Sequence, residues 1–530
     1  MHRKARDREQ VLHQEIKGLK AKLNLRERQL FGRRSERGSK KRDEPEVQGP
    51  LPPPDEPEVQ GPPPPPDEPR RRGQQQGSRG QGHGRRLQEN LPFEEDFCEL
   101  APQDQVCPRC GLPAEPESGT EDSEVVEVEV RVYRRRYRRR RYRLTCQCPA
   151  QDPEVSRIIT APPAPKLIPK GIFAVSFWVS TLEGKFLYQR PLYRMLKELR
   201  EDHGLGVSQG TVTGGLQRLL PLFEPLYGAI VERNVSEGQW HADETRWLVF
   251  GEPEVKASPR WYLWVFCSQT TVVYRAEPTR SAQVPKDHFG KEAEGILSVD
   301  RYAAYKVLLD DQEYRIILAF CWAHVRRDFL SVAKDWPELE QWGFEWVGRI
   351  GKLYHLNGER LSALEAPGAD PSVAEEAQVR LNEAVGQMLQ ERDTQLADSE
   401  LHEACRKTLE SLKRHWTGLT VFVDHPEVPM DNNPAERQLR NPVIGRKNYY
   451  GSGARWSAKL AVILFSLFQT LLLWHFNVRL WLTSYLEACA QAGGRVPPNP
   501  ESWLPWNMDE ETRRKFERPE RPAPSGKNTS

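Results

Sequence analysis

A series of apolar runs beginning at Trp240 most narrows what this chain can fold into. WHADETRWLVF, RWYLWVFC, TTVVYRA, GILSVD and YRIILAFCW succeed one another between residues 240 and 322. Each is rich in β-branched and aromatic side chains, the composition of strands. The first three follow as a meander, and short helical stretches separate the last three. A meander followed by strand–helix alternation predicts a mixed sheet with helices packed on it, within a multidomain α/β chain.

The 530 residues exceed one domain. Residues 1–30 read as a helix, with Ile16, Leu19, Leu23 and Leu30 at heptad spacing; a short dimerising coiled coil and a lone amphipathic helix are equally consistent with it. Residues 31–90 are a disordered Pro/Gly/Arg-rich linker by composition: DEPEVQGPLPPP at 43–54 recurs as DEPEVQGPPPPP at 55–66, with almost nothing apolar to bury. A small zinc-binding, Arg-rich domain is expected over 91–160. A helical region follows at 161–235. Within it, two helices flank a turn at Gly204–Gly206 with Ser208 capping the second, which suits a helix-turn-helix reader or ordinary core helices. The strand series occupies 236–329, an all-helical insertion 330–418, and a second part of the core 419–495. A flexible tail is expected at 496–530.

Composition excludes little. The 77 basic and 75 acidic residues leave a net charge of +2, because charges segregate locally and cancel globally. The first 28 residues are charged throughout and carry no apolar leader. A reducing cytoplasmic setting is therefore expected, in which clustered cysteines point to metal before disulfide. The apolar run Leu460–Trp474 is interrupted by Ser466, Gln469 and Thr470. It falls short of the roughly 18–20 residues a membrane span needs, so a buried core helix and no membrane association are expected.

Two aspartates stand out in the strand series. Asp243 sits within an apolar strand, where a carboxylate is costly unless it is paired or holds a cation. Alternation puts it on the face opposite Ala242 and Glu244. Asp300 ends the buried run Gly295–Val299, at a strand's carboxyl end, where ligand sites of open α/β sheets gather. A turn or cap role explains such an aspartate as well. Glu436 follows Asn433 and Pro434 in the pattern of a capping box, Asn433 as the cap and Glu436 as its partner. Asp431 and Asn432 are not needed for that cap. Arg437, Arg440, Arg446 and Lys447 then form a basic run suited to phosphates.

Upstream, Cys107 and Cys110 have knuckle spacing, and Cys146 and Cys148 complete four thiolates for a structural Zn²⁺. The second pair has one intervening residue instead of two, and unconnected reduced cysteines are the alternative. Between the pairs, in a strand-like stretch at 125–144, Arg134, Arg135, Arg136, Arg138, Arg139 and Arg140 alternate with Tyr133, Tyr137 and Tyr142. Arginine forks and tyrosine rings at this density suit a nucleic-acid backbone. Arg326 and Arg327, after Cys321, are candidate phosphate contacts.

Taken together and in order, His241-Ala242-Asp243-Glu244-Thr245, Asp300-Arg301-Tyr302, Cys321-Trp322-Ala323-His324-Val325-Arg326-Arg327, Asp431-Asn432-Asn433-Pro434-Ala435-Glu436-Arg437 and Gly445-Arg446-Lys447-Asn448 resemble the motifs of insertion-sequence transposases of the IS66 family. Leu30–Glu36, Lys170-Gly171 and Pro191–Arg194 match weaker signals. Arg301 stands where the family usually has glycine, and a tyrosine follows Asn448 where tryptophan is common. The resemblance implies a ribonuclease-H-like core with a DDE triad of Asp243, Asp300 and Glu436 that binds two Mg²⁺ or Mn²⁺ ions. It implies DNA strand cleavage at element ends and strand transfer into target DNA. It further implies double-stranded DNA as partner, a homodimer or larger synaptic complex, accessory proteins of the same element, and a prokaryotic, nucleoid-associated location. Two other readings fit the same residues: a non-catalytic, zinc-containing DNA-binding protein derived from a transposase, and a DDE-type nuclease without strand transfer.

Overall fold

The computed structural model describes residues 109, 112, 130–143, 145, 158–251, 258–310, 314–365 and 370–518. The four candidate zinc cysteines, the amino-terminal helix and the proline-rich linker lie outside them. The elements below all belong to the second of two compact units, Val130–Ser530.

That unit is mixed α/β. A short ribbon pairs β1 (Arg141–Arg143) antiparallel with β2 (Ile158–Thr160). The strand expected over 125–144 is confined, among the described residues, to these three positions. Its arginines and tyrosines offer no face to bury: Tyr133 is 62% and Tyr137 61% exposed, and among the described residues the strand it pairs with is three residues long. Three helices follow: α1 (Val175–Phe186), α2 (Leu192–Glu201) and α3 (Gln209–Ser236). Ser208 caps α3, its Oγ accepting from Thr211 N at 3.2 Å. This helix buries Val212, Leu216, Leu219, Phe223, Leu226 and Ile230, so most of its length is core.

The main sheet contains β3 (Gln239–Val249), β4 (Arg260–Cys267), β5 (Val272–Glu277), β6 (Glu294–Val299) and β7 (Arg315–Phe320) in the spatial order β5-β4-β3-β6-β7. The first three pair antiparallel and the last two run parallel to β3. Helices α4 (Gln283–Phe289) and α5 (Ala303–Asp310) supply the crossovers. Beyond β7 the chain is helical: α6 (Trp322–Asp335), α7 (Glu340–Glu365), α8 (Pro371–Ala397), α9 (Glu403–Arg414) and the single turns α10 (Trp416–Leu419) and α11 (Val421–Asp424). It returns to the sheet through α12 (Asn433–Tyr449), β8 (Gly451–Ser452, beside β3) and α13 (Arg455–Leu473), then ends in α14 (Val478–Gln491) and α15 (Glu510–Phe516).

Alternation along β3 assigns its two faces to different helices. Trp240 meets Phe289 of α4, and Trp264, the cross-strand partner of Glu244, meets Tyr305 of α5. On the opposite face Trp247 packs on Tyr449 of α12 and Phe465 of α13. Asp243 shares parity with Trp247 and therefore looks toward α12.

Helix α13 is long and apolar enough by length and composition to cross a membrane, yet most of it is buried inside the fold. Two of its polar interruptions have a structural use. Ser466 Oγ accepts Tyr274 N at 2.8 Å and Thr470 Oγ1 accepts Val272 N at 3.0 Å, satisfying outward donors of the edge strand β5. The periods match: four helical residues rise about 6 Å and two strand residues about 6.8 Å. Replacing Ser466 by Ala or Thr470 by Val strands one buried backbone N–H each. We expect each change to cost about 1–3 kcal/mol in chemical denaturation; no loss in either variant would show that water or a backbone shift satisfies the edge.

Candidate active site

The parallel register of β3 and β6 brings two of the carboxylates together. Trp240 pairs with Leu297 and His241 with Ser298. Two residues on, β3 carries Asp243, whereas β6 has ended and the chain carries Asp300. The aspartates therefore flank a notch where β6 stops pairing and β3 continues.

The third carboxylate comes from α12, and Asn432 fastens the start of that helix to the sheet. Asn432 Nδ2 donates to Ala242 O at 2.7 Å, and its Oδ1 lies 3.1 Å from His241 Nδ1. Its backbone N–H points at Cys321 Sγ at 3.3 Å, and Trp322 N donates to Met430 O at 2.9 Å. Loop 430–432 is thus fastened to both β3 and the start of α6. The helix begins at Asn433 with Asn432 in the cap position and no side-chain cap bond. This corrects the capping-box expectation: Asn432 caps instead of Asn433, and its amide is committed to β3. The Glu436 carboxylate turns instead toward α6, 3.5 Å from Arg327 Nη2 and 3.9 Å from His324 Nε2.

Charge is poorly balanced in the notch. Burial, then Glu244, and further Asp300 and Glu436 push the Asp243 carboxyl up to about 7, against one bond from Glu244 N at 2.9 Å. Asp300 accepts Tyr302 N at 2.9 Å. Among the described residues neither aspartate has a cationic side chain in an ion pair. Glu244, on the far face, is raised by burial but held by Tyr305 Oη at 2.5 Å and by Arg280, whose guanidinium stacks 3.7 Å from the Tyr302 ring. His324 is lowered by burial and by Arg327, against the pull of Asp300 and Glu436, and its buried Nδ1 has no hydrogen-bond partner among the described residues. As the side chains stand, no three His, Cys, Asp or Glu residues among those described converge on one point closely enough to grip an ion. The donor set still suits a hard divalent cation: oxygen ligands, net negative charge, and two aspartates without counter-ions.

The remaining candidates divide. Arg437, Arg440 and Lys447 are exposed along α12, and Arg326 and Arg327 are exposed on α6. Arg446 turns inward, its Nη1 donating to Thr245 Oγ1 at 2.9 Å and to Arg246 O, so it braces β3. Arg134, Arg135, Arg136, Arg138, Arg139 and Arg140 are exposed, and Arg139 Nε reaches Ala161 O at 2.5 Å. Arg301 cross-links the Asp300 loop to α6 through Asp328 (2.5 Å) and to α9 through Ser411 (3.0 Å).

Sequence reasoning missed two residues here. Asn432 had left a trace, since it is surplus to capping. Gln189 had left none. It is buried with φ 55°, accepts from Tyr449 Oη at 2.5 Å through its side chain and from Asn448 Nδ2 at 2.8 Å through its carbonyl. A Cβ on Gly445 would lie 2.2 Å from its Oε1. The glycine, tyrosine and asparagine around Arg446 therefore grip the α1–α2 loop.

Two predictions follow from this geometry. Asn432→Ala leaves the Ala242 carbonyl and the His241 ring unpartnered. It should cost about 1–3 kcal/mol in chemical denaturation; wild-type stability would mean that the clamp is dispensable. In metal-free protein the unfolded Asp243 carboxyl ionises near 3.8 and the folded one near 7. Between those values the folded state binds more protons, so stability falls as pH rises through that window and then levels. Asp243→Asn should flatten this slope and be the more stable form above pH 7 in chelator. A parent whose stability is level across the window contradicts the burial of that charge.

Comparison with known proteins supports the family resemblance. Residues 170–460 match the family model described as Transposase IS66 family. An uncharacterized protein of Sinorhizobium fredii, y4jD, is 27% identical over 451 residues, 82% of this chain and 83% of its own. Two more from that organism, y4hP and y4qI, are 22% and 28% identical over 353 and 338 residues. The first covers 63% of this chain and 62% of itself, the second 60% and 59%.

Proposed function

The chain belongs to the IS66 transposase family, and from that premise we propose that it is a DDE transposase, cutting DNA at the ends of an insertion sequence and joining the freed 3′ ends to target DNA. The observation that carries the reading is the side-by-side placement of Asp243 and Asp300 at the end of the β3–β6 pairing, with α12 bringing Glu436 to the same face. The order β5-β4-β3-β6-β7, three antiparallel strands then two parallel, supports a ribonuclease-H-like core.

Asp243, Asp300 and Glu436 would together hold two Mg²⁺ or Mn²⁺ ions. Bound there, such a pair stabilises the attacking and leaving oxygens of an in-line displacement. The protein's own contribution is to fix the carboxylates: Asn432 sets α12 against β3, Arg301 ties down the Asp300 loop, and Arg327 pairs with Glu436. Double-stranded DNA is the proposed partner, with Arg326, Arg437, Arg440, Lys447 and the Arg134–Arg140 stretch as backbone contacts. Synapsis of two ends requires at least a dimer. Zinc on Cys107, Cys110, Cys146 and Cys148 remains part of the proposal.

The test uses the full chain, Mn²⁺ and DNA carrying the element's ends. Asp243→Asn, Asp300→Asn and Glu436→Gln should each abolish metal-dependent strand cleavage while sparing DNA binding. Persistent cleavage in any one removes that residue from the site. Cleaved ends that never join target DNA would identify a nuclease, and binding without cleavage in the unaltered protein a non-catalytic DNA-binding protein.

A further inference from the structure

Beside the Asp300 loop, on the side away from α12, three elements converge with more positive than negative charge. Arg301 follows Asp300, Lys306 lies on α5, and Ser411, Arg414 and His415 belong to the end of α9 and the turn after it. Lys306 Nζ is 2.7 Å from His415 Nε2, and His415 Nδ1 is 2.7 Å from Ser411 O. A ring that donates from Nδ1 to a carbonyl offers Nε2 only as an acceptor. His415 is therefore a neutral rest for the ammonium and contributes no counter-charge; burial, with Lys306, Arg301 and Arg414 around it, pushes its pKa down to about 4.

The anions facing this cluster are few. Asp328 bonds Arg301, and Asp300 belongs to the proposed metal site. Among the described residues no ion pair joins Lys306 or Arg414 to a carboxylate, and Arg414 is exposed. Burial and the neighbouring Arg414 and Arg301 lower the Lys306 pKa. Three cations face two carboxylates, Asp328, which is bonded to Arg301, and Asp300, so the cluster keeps a net positive charge that an anion can meet.

We propose that Arg301, Lys306 and Arg414 form a phosphodiester-binding site for duplex DNA on the insertion-facing side of the active site. Here the DNA backbone completes a charge balance that the protein leaves open, and α9 of the helical insertion becomes part of the substrate surface. Arg301 has a double part: its Asp328 and Ser411 bonds hold the Asp300 loop, and its charge adds to the field that a phosphate meets. The site rests on the strand-transfer reading of the adjoining carboxylates.

The experiment measures binding of the full chain to a short duplex across a salt series. Variants are Lys306→Gln with Arg414→Gln, and the charge-keeping pair Lys306→Arg with Arg414→Lys. Each phosphate contact contributes about 0.9 to the slope of log affinity against log salt, so the Gln pair should lower that slope by about 2. The charge-keeping pair should retain it. An unchanged slope in the Gln pair overturns the site, as does an equal loss in the charge-keeping pair, which would trace the effect to local packing. Strand cleavage is measured alongside: if Asp300→Asn abolishes it while the Gln pair leaves the slope intact, the transposase reading survives and this site alone fails. If the unaltered chain binds no duplex at all, both fall.

Discussion

The arrangement depends first on the amide of Asn432. It bonds a carbonyl and a ring on β3 from 190 residues away in sequence, and the backbone around it holds the beginning of α6. Carboxylates drawn from within β3, from the end of β6 and from α12 can act together, as proposed, only if that helix is docked in a fixed position, because a displacement of about 1 Å in a reacting group costs about 100-fold. An asparagine is suited to the place. It supplies a donor and an acceptor in one plane without adding charge to a notch already overloaded with carboxylates.

Several of the motifs that carry the family resemblance therefore have structural uses. Arg446 braces β3, Gly445 makes room for Gln189, and Asn448 holds the same loop. Cys321 receives the Asn432 N–H and lies buried at the head of α6. Arg301, which departs from the motif that the sequence resembles, links the Asp300 loop to helices that precede Glu436 in the chain. A glycine there would leave that loop with its own backbone and the Asp300–Tyr302 turn.

The mixed sheet was legible in the sequence because its strands are short, strongly apolar and bounded, and because the aspartates interrupt otherwise buried runs. Alternation correctly put Asp243 and Glu244 on opposite faces. What could not be read was anything set by long-range partners. Asn433 and Glu436 have a perfect local capping pattern, and a tertiary bond from Asn432 displaced it. Arg446 belongs to a basic run, yet its guanidinium points inward because Thr245 and a β3 carbonyl wait there. Within the strand-like stretch, the described residues 130–143 are exposed and, without a buried face, pair as a strand only at Arg141–Arg143. Gln189 shows nothing in its neighbours that foretells the tyrosine reaching it from 260 positions on.

The pairing of Ser466 and Thr470 with β5 bears on how the chain is made. The strand's outward donors find their acceptors 192 and 198 residues later. A sheet that forms during synthesis before α13 is made has an unsatisfied edge, the surface on which another unfinished chain can align and aggregate. A fragment stopped before α13 would keep that edge permanently. Completion of the carboxy-terminal helices is then what turns an adhesive intermediate into a molecule whose sheet no longer recruits strands there.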